Sequence, residues 1–304
     1  MRRLQADGCS NLVTRTHREL DLTNQASVNS FFAEQQPQIV FLAAAKVGGI
    51  LANNTQPGAF IRENLFIECN VIDAARRNGV ERLIYLGSSC IYPKLAPQPI
   101  REEYLLSGPL EPTNEAYAVA KIAGLKMCQA FALESSFDWI GVMPSNLYGP
   151  GDNFDLQTSH VLPALLRKIH EARISRQPWV EIWGSGNPRR EFLFVDDLAD
   201  ACVFLAQQES QVLDQVAPDR IFNIGIGSDV TIAELASTIQ SVVQYDCDLV
   251  FDDTKPDGVP QKLLDVSRLK TLGWIARTPL AEGIAETYRW FLNSSAMADL
   301  AAAS

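Results

Sequence analysis

A tyrosine and a lysine stand four residues apart in the segment Tyr117-Ala-Val-Ala-Lys121. In a helix this spacing places both side chains on one face, with Thr113 or Asn114 as an N-cap and Glu115 in the first turn. A nearby ammonium favours a phenolate, so we expect it to lower the pKa of Tyr117 toward the range useful for proton transfer to a carbonyl or alcohol oxygen. Pairs at this spacing are also common on exposed helices, so a surface pair without chemistry is the alternative.

Hydroxyl and thiol side chains follow a predicted strand in the segment Gly87-Ser-Ser-Cys-Ile-Tyr-Pro93. Open α/β sheets place their ligands at the carboxyl ends of their strands, so we expect Ser88 and Cys90 to face a site. Ser88, Tyr117 and Lys121 together resemble the Ser/Tyr/Lys set of short-chain dehydrogenases/reductases. Without that context, Cys90 would more simply be a buried and unreactive thiol.

The elements that must position these residues alternate between β-rich runs and amphipathic segments. The predicted strands are Asn11–Thr16, Gln38–Ala43, Arg82–Gly87 and Trp139–Met143, and the predicted helices are Ser27–Gln35, Glu63–Asn78 and Glu115–Glu134. This order is typical of parallel βαβ units. It predicts an α/β, Rossmann-type doubly wound parallel sheet with a smaller C-terminal substrate lobe.

The domain boundaries are predicted from a change of amino-acid composition after Pro144, where the predicted loops become rich in Gly, Pro and Asn. Residues 1–146 with about 191–220 are expected to form the NADP-binding domain, and 147–190 with about 221–292 the substrate lobe. Residues 293–304 read as a flexible tail. A dinucleotide-binding fold opens with a strand and a glycine-rich turn. Because only Met1–Ser10 precede the first predicted strand, we expect that opening unit to be missing here by N-terminal truncation.

Composition excludes several classes of function. The net charge of −10 and the lack of a basic run argue against nucleic acid as a ligand. The six cysteines are far apart, with no CxxC pair, so neither a metal site nor a disulfide framework is predicted. No apolar stretch has the length of a signal or membrane segment. We therefore expect a cytoplasmic protein without membrane, metal or nucleic-acid partners.

Several motifs in order resemble the GDP-L-fucose synthase family, from about Arg2 to Leu292. They are Ala43-Ala-Ala-Lys-Val-Gly-Gly-Ile50, Gly87-Ser-Ser-Cys-Ile-Tyr-Pro93, Glu111-Pro-Thr-Asn-Glu-Ala-Tyr117, Pro144-Ser-Asn-Leu-Tyr-Gly-Pro150, Ser159-His-Val-Leu-Pro163, Trp183-Gly-Ser-Gly-Asn-Pro-Arg-Arg-Glu191, Lys255-Pro-Asp-Gly258 and Lys262-Leu-Leu-Asp265. The resemblance implies a homodimer built through two helices per subunit. It also implies that GDP-4-keto-6-deoxy-D-mannose is epimerised at C3 and C5 and then reduced at C4 by NADPH.

The resemblance also implies residue roles. Tyr117 would be the general acid for the C4 oxygen and would stabilise the enolate, while Ser88 hydrogen-bonds the same oxygen. Lys121 would hold the nicotinamide ribose and lower the pKa of Tyr117. Epimerisation needs one group that removes a proton and another that delivers it to the opposite face, and the matching positions are Cys90 and His160. Which of these two is the base stays open, and capping of the helix near residue 161 is the simpler alternative for His160.

Ligand contacts follow from the same resemblance. The cofactor-binding positions are His17, Leu86, Gly87, Ser88, Ser89, Lys121, Pro144, Ser145, Asn146, Leu147 and His160. Four positions, Lys168, Trp183, Arg190 and Asp257, would bind the GDP-sugar. Lysine and arginine would bind the diphosphate, tryptophan offers a flat face, and the aspartate would contact the ribose or base. By residue type alone, Lys168 reads as a solvated helix residue and Trp183 as a core aromatic.

The preference for NADP has a basis near the first predicted strand. An NAD enzyme would carry Asp or Glu at that strand end, whereas Arg15, His17 and Arg18 suit a 2′-phosphate. The family commonly has arginine at the position of His17. By residue type alone, His17 and His170 are expected to be surface residues.

Two alternatives are compatible with the sequence. The first is a related sugar-nucleotide 4-epimerase or dehydratase, which would share Tyr-x-x-x-Lys but would not be expected to carry the Cys90/His160 pair. The second is a truncated, cofactor-free remnant without catalysis. It follows from the expected loss of a central strand, a defect expected to exceed the stability of a domain, ~5–15 kcal/mol.

Overall fold

The computed structural model describes residues 1–156, 158–255 and 257–294. The helices in this part of the chain are α1 (Arg2–Ala6), α2 (Gln25–Gln35), α3 (Ile50–Thr55), α4 (Pro57–Arg77), α5 (Glu115–Glu134), α6 (Val161–Ser175), α7 (Val195–Ala206), α8 (Ser210–Val216), α9 (Ile232–Val243), α10 (Ser267–Thr271) and α11 (Leu280–Leu292). The strands are β1 (Ile39–Leu42), β2 (Arg82–Leu86), β3 (Trp139–Pro144), β4 (Asn146–Tyr148), β5 (Trp179–Trp183), β6 (Arg189–Arg190), β7 (Phe192–Phe194), β8 (Ile221–Ile224), β9 (Val230–Thr231), β10 (Asp248–Asp252) and β11 (Gln261–Lys262). Of the predicted tail, only Asn293 and Ser294 lie among the described residues.

The main sheet has the order β1-β2-β3-β8, and all its pairings are parallel. Successive side chains of a strand point to opposite faces. Leu83 and Tyr85 of β2 accordingly join the apolar core formed with α2, α4 and α5, whereas Ile84 joins the core formed with α7. Both faces of the sheet are therefore covered by helices, which confirms the predicted doubly wound α/β fold.

Helices α4 and α5 lie against each other on one face of this sheet. Proline occupies the first position of α4, where its missing N–H costs nothing, and Arg76 and Arg77 lie in the last turn. At the contact with α5, Gly124 leaves room for its neighbours, because a Cβ built there would lie 2.7 Å from Oε2 of Glu68. The two predicted helices are thus present, α5 with the predicted bounds and α4 beginning six residues earlier.

A second apolar core lies under smaller sheets. Helices α6, α9 and α11 contribute Leu166, Ile239 and Phe291 to this core, and β5 contributes Ile182. Strands β5 and β10 pair in parallel, as do β4 and β7. Strand β6 pairs with β11 in parallel and with β9 in the antiparallel sense. These short sheets carry the loops that were assigned to the substrate lobe.

The strand predicted at Asn11–Thr16 is wrong, because this segment has no regular structure. A strand needs a neighbour that satisfies its backbone hydrogen bonds. Among the described residues, β1 pairs only with β2. On its other side a cavity of about 500 Å³ is lined by Val13 and Leu22 as well as by Val40 and Leu42 of β1. The apolar residues of Asn11–Thr16 therefore have no strand to pair with.

Two further expectations need correction. Ile221–Ile224, placed in the substrate lobe, is strand β8 of the main sheet, and Leu269 and Trp274 pack in the core beneath it. The boundary near residue 220 was therefore set too early. His170 is not a surface residue: it is 4% exposed, and its Nδ1 lies 2.9 Å from the Tyr288 hydroxyl. Its position on the inner face of α6 overrides its polar character.

No helix in the described ranges combines the length and the apolar character that a membrane span requires. Over the same residues, no group of three or more His, Cys, Asp or Glu side chains is placed to bind a metal ion.

Candidate active site

Helix α5 presents Tyr117 and Lys121 toward the end of β2, as the spacing predicted. Asn114 is the N-cap, although its side chain makes no capping hydrogen bond, and Glu115 lies in the first turn. Lys121 donates from Nζ to the carbonyl oxygen of Leu86 at 3.0 Å. The lysine is therefore anchored to the last residue of β2, directly before the Gly87–Pro93 segment.

The hydroxyl of Tyr117 lies in a buried environment next to Ser88. Burial raises the pKa of Tyr117 above its ordinary range, and the nearby Cys90 and Glu68 add to this effect, while a hydrogen bond with Ser88 opposes it. The expected lowering by Lys121 is not found, because the lysine Nζ lies 6.0 Å from the ring centroid of Tyr117 and pairs elsewhere. The hydroxyl of Tyr117 is therefore protonated in this state and can donate its proton; it is not a phenolate.

The partner of Lys121 is a carboxylate that the sequence did not reveal. Oε1 of Glu68, on α4, lies 3.2 Å from Nζ of Lys121, and both side chains are almost fully buried. Burial raises the pKa of Glu68 and lowers the pKa of Lys121, while their mutual attraction opposes both shifts.

Cys90 lies in the short 3₁₀ turn Ser89–Ile91, which directly follows Ser88. The Ser88 Oγ accepts a hydrogen bond of 3.2 Å from the backbone N–H of Cys90 and so caps this turn. Burial alone would raise the pKa of the Cys90 thiol, but the charge of Lys262 and hydrogen bonds within the site outweigh it and lower the pKa. Lys262 donates to the sulfur from 3.5 Å, and Asn114 contributes a further hydrogen bond. This thiol is therefore chemically distinct from the buried Cys128 and Cys202, whose pKa values are raised by burial.

His160 is the N-cap residue of α6, but its side chain makes no capping hydrogen bond. The alternative of a simple capping role is therefore not supported. Burial lowers the pKa of His160, and the positive charge of Lys262 lowers it further. The loop before His160 contacts the segment that follows β1, because the Gly49 N–H donates to the carbonyl oxygen of Thr158 at 3.0 Å. The charge of Lys262 thus lowers the pKa of His160 as well as that of Cys90.

The predicted cofactor edge has the features that a polar ligand would need. The segment Pro144–Leu147 ends β3 and begins β4, beside Gly87 at the end of β2. Within the described residues, Ser145 Oγ and Asn114 Oδ1 are buried without hydrogen-bond partners. Buried polar atoms are rarely left unsatisfied, so both fit contacts with a bound nicotinamide or sugar. The side-chain amide of Asn146 already makes one hydrogen bond, because it donates to the Glu191 carbonyl oxygen at 2.8 Å.

The predicted GDP contacts gather around Trp183. This side chain is 62% exposed, so it is not a core aromatic. Lys168 Nζ lies 5.5 Å and Lys255 Nζ 5.8 Å from its ring centroid. Asp257 accepts hydrogen bonds from the backbone N–H and hydroxyl of Ser185, at 2.7 and 2.8 Å. An aromatic face with two ammonium groups is suited to a base and a diphosphate.

Arg190 connects the two groups of residues. It pairs in register with Lys262 across β6 and β11, so the arginine predicted to bind the diphosphate and the lysine that contacts Cys90 lie on one small sheet. Burial lowers the pKa of Arg190, and Asp257 opposes that shift. The fully buried carboxylate of Glu191 accepts from the N–H groups of Gly227 and Leu264 at 2.7 and 3.0 Å, which fixes this sheet.

His17 was predicted to contact the 2′-phosphate of the cofactor, and not the reacting groups. His17 is exposed and lies apart from the thiol site, in the loop that lines the 500 Å³ cavity. Sequence reasoning missed Glu68, Lys255 and Lys262 as functional candidates. The two lysines begin the motifs Lys255-Pro-Asp-Gly258 and Lys262-Leu-Leu-Asp265. The sequence around Glu68, in contrast, shows only a charged residue within an amphipathic helix, which does not indicate a function.

A parallel α/β sheet with a serine, a tyrosine and a helix-borne lysine at its carboxyl edge defines the short-chain dehydrogenase/reductase class. The chain belongs to the NAD dependent epimerase/dehydratase family, whose model matches residues 1–225.

Individual relatives are more specific. The chain is 55% identical to a GDP-L-fucose synthase of Arabidopsis thaliana, over 97% of this chain and 89% of that protein. It is 52% identical to the GDP-L-fucose synthase of Escherichia coli strain K12, over 96% of this chain and 92% of that protein. Among solved structures, a GDP-mannoheptose C4 reductase from Campylobacter jejuni with NADP bound is 38% identical and matches with a TM-score of 0.86, over 95% of this chain and 92% of that one.

Proposed function

We propose that this chain catalyses the NADPH-dependent epimerisation of GDP-4-keto-6-deoxy-D-mannose at C3 and C5 and its reduction at C4, which gives GDP-L-fucose. The observation that carries the proposal is the 3.5 Å contact of Lys262 with the Cys90 sulfur, in the turn capped by Ser88, together with the effect of the same lysine charge on His160. GDP-L-fucose synthases at 52–55% identity support the same substrate.

Each epimerisation inverts a carbon beside the C4 carbonyl. A proton leaves C3 or C5 on one face, and another arrives on the opposite face. Cys90 and His160 supply the two groups, and the nearby Lys262 charge favours a thiolate at Cys90. The negative charge that develops on the C4 oxygen meets hydrogen-bond donors at Tyr117 and Ser88.

Reduction uses the same oxygen contacts. Bound NADPH supplies the hydride that reaches C4. Tyr117 delivers a proton to the C4 oxygen as the alkoxide forms, which is favoured because burial keeps the phenol protonated beforehand. Lys121, Ser145 and Asn146 would hold the nicotinamide end, while Arg190 and Lys168 would bind the diphosphate.

The experiment combines NADPH binding with turnover by the 304-residue chain. We expect NADPH fluorescence to titrate on binding, one NADPH to be consumed per sugar, and deuterium from D₂O to appear at C3 and C5. Tyr117→Phe is the control: it should stop NADPH consumption and still bind NADPH. Turnover without net NADPH consumption would favour the 4-epimerase alternative. No NADPH binding would favour the cofactor-free remnant.

We also propose that the chain forms a homodimer through α4 and α5. Both helices expose apolar side chains, among them Phe66 on α4 and Val119 on α5. Such a surface suits a helix-to-helix contact with a second copy. Analytical ultracentrifugation of the wild type and of the Phe66→Glu variant tests this contact. We expect the wild type to sediment as a dimer and the variant as a monomer, and a monomeric wild type would refute the contact.

We also propose that the protein works in a reducing compartment, the cytoplasm, because of the state of its cysteines. All six are free thiols in the structure, and the reactivity proposed for Cys90 needs a reduced sulfur. Activity that survives in reductant and is lost on mild oxidation is the expected result.

A further inference from the structure

A buried carboxylate and a buried ammonium meet between α4 and α5. Glu68 is 1% exposed and Lys121 is 2% exposed, and the two charged groups lie 3.2 Å apart. Lys121 belongs to the proposed catalytic set, whereas Glu68 has no role in the steps derived above.

The stability of the helix pair does not account for this carboxylate. Taking two charges out of water costs about as much as their attraction returns, so apolar side chains of similar volume would serve the packing equally well. Removing one member alone, in contrast, leaves a buried charge without compensation. The pair is thus better explained by what it does to Lys121.

The position of the Lys121 ammonium is fixed from three directions. Nζ donates to the Leu86 carbonyl, contacts Glu68, and lies 5.1 Å from the ring centroid of Tyr85. The Tyr85 hydroxyl donates to the backbone carbonyl of Lys121 at 3.0 Å. Gly124, one turn later, leaves the space, since an added Cβ would lie 2.6 Å from Oη of Tyr85. Glu68 is an ion-pair partner here, since neither of its carboxylate oxygens has a hydrogen-bond partner among the described residues. An ammonium has three N–H donors, so donors remain for a ligand hydroxyl beside the bond to Leu86.

We propose that Glu68 is a positioning residue that holds the Lys121 ammonium near the Tyr117 ring and keeps it protonated while Tyr117 gives up its proton. The role in turnover rests on the proposed function. The titratable groups that face the pair are Tyr85 on β2, Tyr117 and Cys128 on α5, and Cys69 on α4 itself.

Glu68→Gln is the direct test, because glutamine keeps the shape and removes the charge. Without the carboxylate, the pKa of Lys121 should fall by at least about one unit. The pKa of Tyr117 should fall as well, because Glu68 contributes to raising it. The basic limb of the pH profile of NADPH oxidation should therefore move to lower pH by a similar amount, with KM for the sugar nucleotide unchanged.

Two readouts are needed. The first is the NMR titration of ¹³C-labelled lysine side chains in the full chain, with the Lys121 resonance assigned by its loss in Lys121→Met. The second is the pH profile of kcat. Asp73→Asn is the matched control, since it removes an ion-paired carboxylate from the same helix, where Asp73 pairs with Arg76 and Arg77. It should leave both readouts at their wild-type positions.

A Glu68→Gln protein with an unshifted Lys121 titration and an unshifted basic limb overturns the inference, even if its Tm falls, because Glu68 would then serve packing alone. Should Glu68→Gln not fold, Glu68→Asp decides: it keeps the charge but withdraws it by one methylene, and a smaller shift in the same direction is expected. No shift in Glu68→Asp would equally overturn the inference. If the wild type itself does not oxidise NADPH with the sugar, the proposed function fails while the NMR titration still tests the pair.

Discussion

Nζ of Lys262 lies 3.5 Å from Sγ of Cys90, although 172 positions separate the two residues in the chain. Cys90 follows a strand of the main sheet, and Lys262 belongs to the small sheet that also carries Arg190. The contact therefore joins the thiol after β2 to the small sheet in which Lys262 pairs with Arg190. The charge of Lys262 opposes the effect of burial on the pKa of Cys90 and lowers the pKa of His160.

Lys262→Met should shift the pH dependence of proton exchange at C3 and C5. The lysine charge lowers the pKa of both Cys90 and His160. Its removal should raise both, so each limb of the exchange profile moves to higher pH, by roughly one unit for a charge at contact distance. Deuterium incorporation from D₂O measures the profile. Lys126→Met, an exposed lysine on α5, is the control, and a lower rate without a shift of either limb would contradict this role.

Cys90 should react with iodoacetamide at a lower pH than the buried cysteines do. Its pKa is lowered, whereas burial raises the pKa of Cys128 and Cys202. Since the thiolate is the nucleophile, the alkylation rate at Cys90 should rise first as the pH increases. Peptide mass spectrometry over a pH series gives the rate at each site. Equal rates at Cys90 and Cys128 would mean that the lysine contact is not formed in solution.

Trp183→Ala should raise KM for the sugar nucleotide and leave the fold intact. An aromatic contact is worth about 0.5–1.5 kcal/mol, which corresponds to a rise in KM of roughly two- to tenfold. Because Trp183 is exposed, little packing is lost. Trp179→Ala is the matched control, as it removes an exposed tryptophan from the other end of β5. Steady-state kinetics in which both variants behave alike would rule out a substrate contact at Trp183.

Gly124→Ala should destabilise the protein. The new Cβ would lie 2.6 Å from Oη of Tyr85 and 2.7 Å from Oε2 of Glu68, and overpacking of this kind costs about 1–3 kcal/mol. Gly58→Ala, in the first turn of α4, meets no atom within 4 Å and should be neutral or stabilising by up to about 1 kcal/mol. Urea unfolding compares the two. Equal stability would show that α4 and α5 separate at little cost.

The sequence predicted the catalytic helix well because its signals are local. Helix α5 begins after a polar residue with an acid in its first turn, and its length follows from one unbroken apolar pattern. Three strands of the main sheet were also predicted to within one or two residues, since buried parallel strands are continuous apolar runs.

The rest depends on contacts between distant parts of the chain. Asn11–Thr16 carries a strand pattern, but a strand forms only beside a partner, and the pattern does not report one. The pKa of Tyr117 was predicted in the wrong direction because burial of the phenol and the nearby Cys90 and Glu68, from other segments of the chain, raise it. Lys262 was passed over because nothing near it in sequence indicates the thiol. His170 was misplaced because its partner, Tyr288, lies on α11.

Strand β1 has a consequence for the behaviour of the protein in concentrated solution. Its four residues, Ile39–Leu42, are all apolar, and among the described residues one side of it has no strand beside it. Neither a lysine nor a proline interrupts the run, and such residues are what usually discourage sheets from growing between molecules. An apolar strand edge of this kind favours pairing between molecules, so a charged side chain at Val40, which lines the cavity, should lower the tendency of the protein to aggregate at high concentration.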